Sequence, residues 1–207
     1  MGSFNSKILI IGKSGSGKDY LANLLCSKTP FFHLSNKKGV VVKPPYLSQI
    51  ISYTTRPRRP NEKDTHIFVE QFDPNTETIA QTTYHGHKYW ATYEQLVNND
   101  IYIIDPQGAI DLYFKQGYQF NLLVLYLDVP WYIRWNRIRK RNSWFYACKR
   151  VLNDWIAFKP MKKIKKLYGI NHVTTMPNKN NKDLAAILLT CLRQFYPIEE
   201  YKFHINN

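Results

Sequence analysis

Three stretches of the chain are apolar at nearly every position: Lys7-Ile8-Leu9-Ile10-Ile11, Ile101-Tyr102-Ile103-Ile104-Asp105 and Leu122-Leu123-Val124-Leu125-Tyr126-Leu127. A strand with one wet face alternates, whereas unbroken runs of this length suit strands buried on both faces of a parallel sheet. Each run leads into residues with helical character: Tyr20 to Leu25, about Gly108 to Gln116, and a segment opened by Pro130. A proline at the start of a helix loses no hydrogen bond, because the first N–H groups have no partner in the helix. Strands alternating with helices predict an α/β fold with a parallel sheet wrapped on both faces. A strand near His172-Val173-Thr174 and a helix from Lys182 to Phe195 continue the pattern.

The middle of the chain reads differently. Ile50 to Thr55, Ile67-Phe68-Val69 and Ile79 to Tyr84 are short and rich in β-branched and aromatic residues, with turns at Asp73-Pro74-Asn75 and at Gly86 before Tyr89-Trp90. These features predict a small antiparallel sheet inserted between βα units. Thr29 to Pro45 reads as a loop with an edge strand at Val40-Val41-Val42, because turn residues bracket so short a run. Met161-Lys162-Lys163-Ile164-Lys165-Lys166 alternates lysine with apolar residues at roughly helical spacing. It predicts a helix with one solvated face, and a patch for nucleic acid or an acidic partner is the other reading.

Candidate chemistry concentrates directly after the first strand. Gly12, Lys13, Ser14, Gly15, Ser16, Gly17 and Lys18 satisfy the spacing G-x-x-x-x-G-K, with a strand before and a helix after. Glycines permit a tight turn there, and the N–H groups of the loop and helix start then cradle phosphate. Asp19 stands where such loops usually carry the hydroxyl that meets Mg²⁺. A carboxylate adds negative charge beside a polyphosphate, yet it remains a good oxygen ligand for a hard cation.

At 207 residues the chain suits one sizeable core with a small insertion. Its formal charge of +14 suits polyanions in general. The three cysteines are isolated and lack metal-ligand spacing, which points to a reducing, cytoplasmic setting. No stretch reads as a signal peptide or reaches membrane-spanning length, so no membrane partner is expected.

A second signal is Ser52-Tyr53-Thr54-Thr55-Arg56-Pro57-Arg58-Arg59-Pro60. Taken with the phosphate loop, Asp105-Pro106-Gln107-Gly108 and the arginines Arg137 and Arg141, it resembles the guanylate kinases and related nucleoside monophosphate kinases. The resemblance runs from about Lys7 to Arg150, and more weakly to Phe195. It implies a three-layer P-loop kinase fold with a parallel central sheet, a small inserted antiparallel subdomain that binds the nucleoside monophosphate, and a lid. The whole chain is then one domain, with its core at 5–50 and 98–200, the insertion at about 52–95 and the lid at about 137–152. The implied activity is transfer of the γ-phosphate of ATP, with Mg²⁺, to a nucleoside monophosphate.

By that resemblance Gly12, Ser14, Gly15, Ser16, Gly17, Lys18 and Asp19 hold ATP, and Asp19 and Asp105 hold the metal. Ser52, Arg56 and Arg59 hold the acceptor phosphate, joined by Tyr89 and by His66 where the family usually has a tyrosine. Lys18, Arg137, Arg141 and Arg150 stabilise the group in flight. Arg137 and Arg141, four apart, would share one helix face, while Arg134 and Arg139 are read as solvated. Asp105 has a second reading, as the cap of the next helix.

The departures concern the base. Guanine-selective members have carboxylates where Ala80 and Ile103 stand here, a hydroxyl where Ala91 stands, and a glycine where Trp90 stands. Without those carboxylates guanine readout is not expected. Trp90 is a candidate for stacking on a different base, or else it packs within the inserted sheet. Two rival functions are a kinase acting on nucleic-acid ends, with nucleic acid the less favoured partner, and a non-catalytic binding module of the same fold. Such modules typically lose the phosphate loop, which this chain keeps.

Overall fold

A computed structural model describes residues 6–26, 32–36, 41–42, 47–58, 65–84, 86–116, 119–141, 143–168, 173–176 and 201–205. In chain order the first half contains β1 (Ser6–Gly12), α1 (Lys18–Leu25), β2 (Phe32–Asn36), β3 (Val41–Val42), β4 (Tyr53–Thr54), β5 (Ile67–Phe68), β6 (Thr78–Tyr84), β7 (His87–Thr92) and α2 (Tyr93–Asn98). The second half contains β8 (Ile101–Ile103), α3 (Pro106–Gln116), β9 (Asn121–Leu127), α4 (Trp131–Arg139), α5 (Trp144–Ala157), α6 (Met161–Tyr168), β10 (Val173–Met176) and β11 (Tyr201–Ile205). Arg59, His172 and the helix expected over 182–195 lie outside the described residues.

The three apolar runs become neighbouring parallel strands. The sheet order is β10-β9-β1-β8, with Leu9 opposite both Tyr102 and Val124, and Gln49 forms a parallel bridge to Ile101 at the outer side of β8. Ile8, Leu9, Ile10 and Ile11 are completely buried, which is what an unbroken apolar run in a central strand requires. The chain steps from β1 to the β8 side and later crosses to β9. The order therefore reverses beside β1, and ligands of open parallel sheets bind at the carboxyl ends of strands flanking such a point.

The second sheet has the order β5-β4-β7-β6. β6 and β7 form a hairpin about Gly86, whose φ of +79° favours glycine, and β4 pairs antiparallel with β7. The expectation of a wholly antiparallel sheet needs one correction: β5 runs parallel to β4, with Tyr53 opposite Ile67. Nine residues then lead from Phe68 to β6, at the opposite edge of the sheet. The helix α2 follows directly and starts with a capping box, in which Thr92 Oγ1 accepts from Gln95 N–H and Gln95 Oε1 accepts from Thr92 N–H. Gln95 also donates to Ile51 O at 2.7 Å, tying α2 to the entrance of β4.

A third, antiparallel sheet has the order β11-β2-β3. The short apolar run near Val41 thus pairs with β2 and not with the central sheet.

The lysine-rich segment is α6, with Met161, Ile164 and Tyr168 buried and Lys162, Lys163, Lys165 and Lys166 exposed. Tyr168 Oη donates to Ala109 O at 2.8 Å, fixing α6 on α3. The solvated-face reading therefore holds for this helix. Ile164→Ala should cost about 2–4 kcal/mol because it leaves a cavity at a fully buried position. Lys165→Gln should stay within about 0.5 kcal/mol. Urea unfolding of the two variants makes the comparison. No helix among the described residues is long and apolar enough to cross a membrane.

Candidate functional site

The loop after β1 is shaped by what its glycines must avoid. A Cβ on Gly12 would lie 2.4 Å from Ser16 Oγ and 3.2 Å from Leu127 Cβ, so the loop closes on itself and on the end of β9. Gly15 has φ +77°, and a Cβ there would lie 2.9 Å from Arg134 O, so the loop packs directly on the backbone of α4. Gly17, also at positive φ, caps α1 without a side chain. Ser16 is fully buried inside the turn. Lys18 opens α1 and donates back to Gly12 O at 2.6 Å and to Lys13 O at 3.4 Å. Burial pushes its ammonium below the ordinary lysine value, against Asp19 and Asp154, which favour the charged form. An anion at the loop would favour the charged form further.

Cations from α4 and α5 reach the same loop. Arg137 Nη1 donates to Gly15 O at 3.2 Å, and Arg150 Nη1 donates to Ser14 Oγ at 3.4 Å while its Nε donates to Tyr146 Oη at 3.1 Å. Arg141 does not share a helix face with Arg137. α4 ends at Arg139, and Arg141 lies exposed in the turn beyond it. Arg139 is exposed, over the Trp135 ring.

Arg134 reverses its expectation. It is 4% exposed, donates from Nε to Val129 O at 3.0 Å, and pairs with Asp154 at 2.9 Å. Asp154, also buried, accepts from Ser14 N–H and from Ser14 Oγ, each at 2.9 Å. Its sequence signal was available: it is the sole acidic residue between Asp128 and Asp183, in a stretch otherwise crowded with lysine and arginine.

On the β8 side, Asp105 lies at the carboxyl edge of the sheet. Its Oδ1 accepts from Gln107 N–H at 2.9 Å and Gly108 N–H at 3.1 Å, so it caps α3. Burial raises its pKa above the usual carboxylate value, and these N–H groups oppose the rise. The Tyr102 side chain hydrogen-bonds to Ser52, and burial pushes its hydroxyl far up, so that it stays protonated. Ser52 is thereby fastened to β8, three residues from Asp105.

The remaining acceptor-side candidates form a cluster on the second sheet. The guanidinium groups of Arg56 and Arg58 lie 5.2 and 4.7 Å from the Phe68 ring centre. His66 stacks on Phe68 and meets Tyr89 edge-on at 5.6 Å. Ser52, Arg56, His66 and Tyr89 thus belong to one sheet and its entrance. Trp90 does not join them as a stacking surface. It is 4% exposed, with Tyr53 stacked on it at 5.6 Å and Phe72 edge-on at 4.9 Å, so it is core of the small sheet. Adjacent residues of a strand point to opposite faces, and Tyr89 takes the other one.

A loop between a buried strand and a helix, arginines reaching it from α4 and α5, and a four-stranded second sheet packed on α3 define an architecture that can be compared as a whole. The crystal structure of guanylate kinase from Anaplasma phagocytophilum superposes with a TM-score of 0.54, covering 92% of this chain and 86% of that one at 16% identity. The fold is guanylate kinase-like. No protein-family model matches the chain. At that identity the likeness reaches the guanylate kinase-like fold and stops short of the chemistry, which rests on the residues.

Proposed function

We propose that this protein is an ATP-dependent nucleoside monophosphate kinase, acting on a ribo- or deoxynucleoside monophosphate other than the guanine compound. The observation that carries this reading is the convergence of Lys18, Arg137 and Arg150 on a glycine loop at the carboxyl end of β1.

Phosphoryl transfer asks for alignment and for cancellation of charge on the equatorial oxygens, with little covalent help from protein. Gly12, Gly15 and Gly17 let the loop wrap a polyphosphate, and Lys18, at the start of α1, offers it a cation. Arg137 and Arg150, which reach the loop from α4 and α5, suit the transferring group, while Arg141, at the exposed turn, suits closure over it. Asp19 and Asp105 offer hard oxygen donors at the start of α1 and the end of β8. The raised pKa of Asp105 marks a carboxylate whose burial a cation would relieve. Mg²⁺ held there would neutralise phosphate charge. In the lid assignment, 137–152 comprises the end of α4, the turn and most of α5.

Arg56 and the partners of its cluster suit the acceptor phosphate, since guanidinium forks bind phosphate oxygens in bidentate fashion. Arg59 is assigned the same task from its sequence alone. Arg56→Ala should weaken a nucleoside monophosphate by roughly tenfold or more, about 1.4 kcal/mol, and leave ATP binding nearly unchanged. Calorimetric titration with each nucleotide separates the two, and equal losses would put Arg56 in the wrong half of the site.

Ala80 is buried in the core and Ile103 is aliphatic, so neither offers an acceptor to guanine N–H groups. The test of the whole reading is ATP consumption with each common ribo- and deoxynucleoside monophosphate, plus an oligonucleotide 5′ end as a further acceptor. Turnover with one or more non-guanine monophosphates is expected. A preference for guanosine monophosphate would overturn the base argument, and turnover with the oligonucleotide alone would overturn the small-molecule one.

A further inference from the structure

The pair Arg134–Asp154 is not needed to build either helix. Each side chain is more than nine-tenths buried, and both reach Ser14 on the phosphate loop. A buried carboxylate is costly unless its oxygens are filled, and here they are: Oδ2 takes Ser14 N–H and the Arg134 guanidinium, each at 2.9 Å, and Oδ1 takes Ser14 Oγ–H at 2.9 Å. The Ser14 hydroxyl, donating to Asp154, has its lone pairs turned outward and accepts from Arg150 Nη1 at 3.4 Å. Arg134 closes the ring by reaching Ser14 O at 3.4 Å and Val129 O at 3.0 Å.

The geometry points to Asp154 as a positioning residue of the phosphate loop: through Ser14 it clasps the loop to α5 and orients Arg150. This inference rests on the phosphate-binding reading of the loop. Three features support the clasp. Both polar groups that Ser14 can donate from are committed to one carboxylate, which fixes the residue's backbone and rotamer together. Arg134 neutralises that carboxylate from the far side, so the charge presented to a bound polyphosphate is reduced. Arg150 touches the loop at the atom Asp154 orients, so a change at position 154 reaches it through Ser14 Oγ.

The test is calorimetric titration of the full-length protein with tripolyphosphate, which probes the loop without a base pocket, run on wild type, Asp154→Asn, Ser14→Ala, Arg150→Ala and the double variants. Asp154→Asn keeps the size of the side chain, and thermal melts identify any variant that loses its fold. Ser14→Ala removes the relay while leaving the Arg134–Asp154 pair in place, so it stands in if Asp154→Asn does not fold. Asp154→Asn is expected to weaken tripolyphosphate about tenfold, Ser14→Ala by a similar factor, and the double variant no further than either single one. Arg150→Ala should likewise cost less in the Asp154→Asn background than in wild type. A purely structural role would lower the melting temperature and leave the losses multiplicative, which would overturn the inference. Tighter binding by Asp154→Asn would also overturn it, since it would mark the carboxylate as a competitor for the loop's donors. Wild type that fails to bind tripolyphosphate would overturn the phosphate-loop reading and this inference with it, whereas binding unchanged in every variant removes the inference alone.

Discussion

Lys18→Ala is expected to lower phosphoryl transfer by ~10²–10³ in rate, about 3–4 kcal/mol, as for loss of one preorganised donor to developing charge. The lysine's internal bonds are to the carbonyls of Gly12 and Lys13. Lys13 is half-buried and its carbonyl can turn to water when the ammonium is removed, while Gly12 is held in β1 by its pairing with β9, so the fold should survive. Circular dichroism and a thermal melt check the fold, and single-turnover kinetics with saturating ATP isolates the chemical step. Undiminished turnover would remove Lys18 from the chemistry and, with it, the kinase assignment.

Arg134→Ala should have the largest effect on stability, about 3–5 kcal/mol, because it strands a buried carboxylate. The loss is mostly the cost of leaving Asp154 unpaired and not the worth of the ion pair itself. Arg134→Met combined with Asp154→Leu should therefore recover much of the lost stability, since a well-packed apolar pair avoids desolvating two charges. Chemical denaturation of the three proteins measures this. If the double variant is no more stable than Arg134→Ala alone, packing and backbone contacts of the arginine outweigh its charge.

Local signals were readable and through-space ones were not. β1 and its loop were legible because an unbroken apolar run, glycines and a lysine are all contiguous. α6 was legible because buried Met161, Ile164 and Tyr168 recur at helical spacing among exposed lysines. Arg134 was misread because helical spacing says which residues share a face, and its burial depends on the phosphate loop, more than a hundred residues earlier, lying against that face. Arg141 was misplaced for a related reason: the four-residue rule holds only inside a helix, and α4 ends two residues sooner. Trp90 carried two readings, and its ring partners Tyr53 and Phe72, on other segments, decide for the core. The parallel pairing of β5 with β4 depends on the path taken between Thr54 and Ile67, which local propensity does not encode.

The position of β1 at the centre of its sheet has a consequence for synthesis. Ile8 pairs with Ile101 on one side and Leu123 on the other, so neither edge of β1 can be covered in its sheet until roughly 90 further residues have been made. At ~5–20 residues per second, that interval is on the order of ten seconds. During it the most apolar strand of the nascent chain has two open edges, the feature that invites pairing with other chains. The strand that leads into the glycine loop is thus also one that stays open to wrong pairing on the ribosome, and one that a chaperone would have reason to shield.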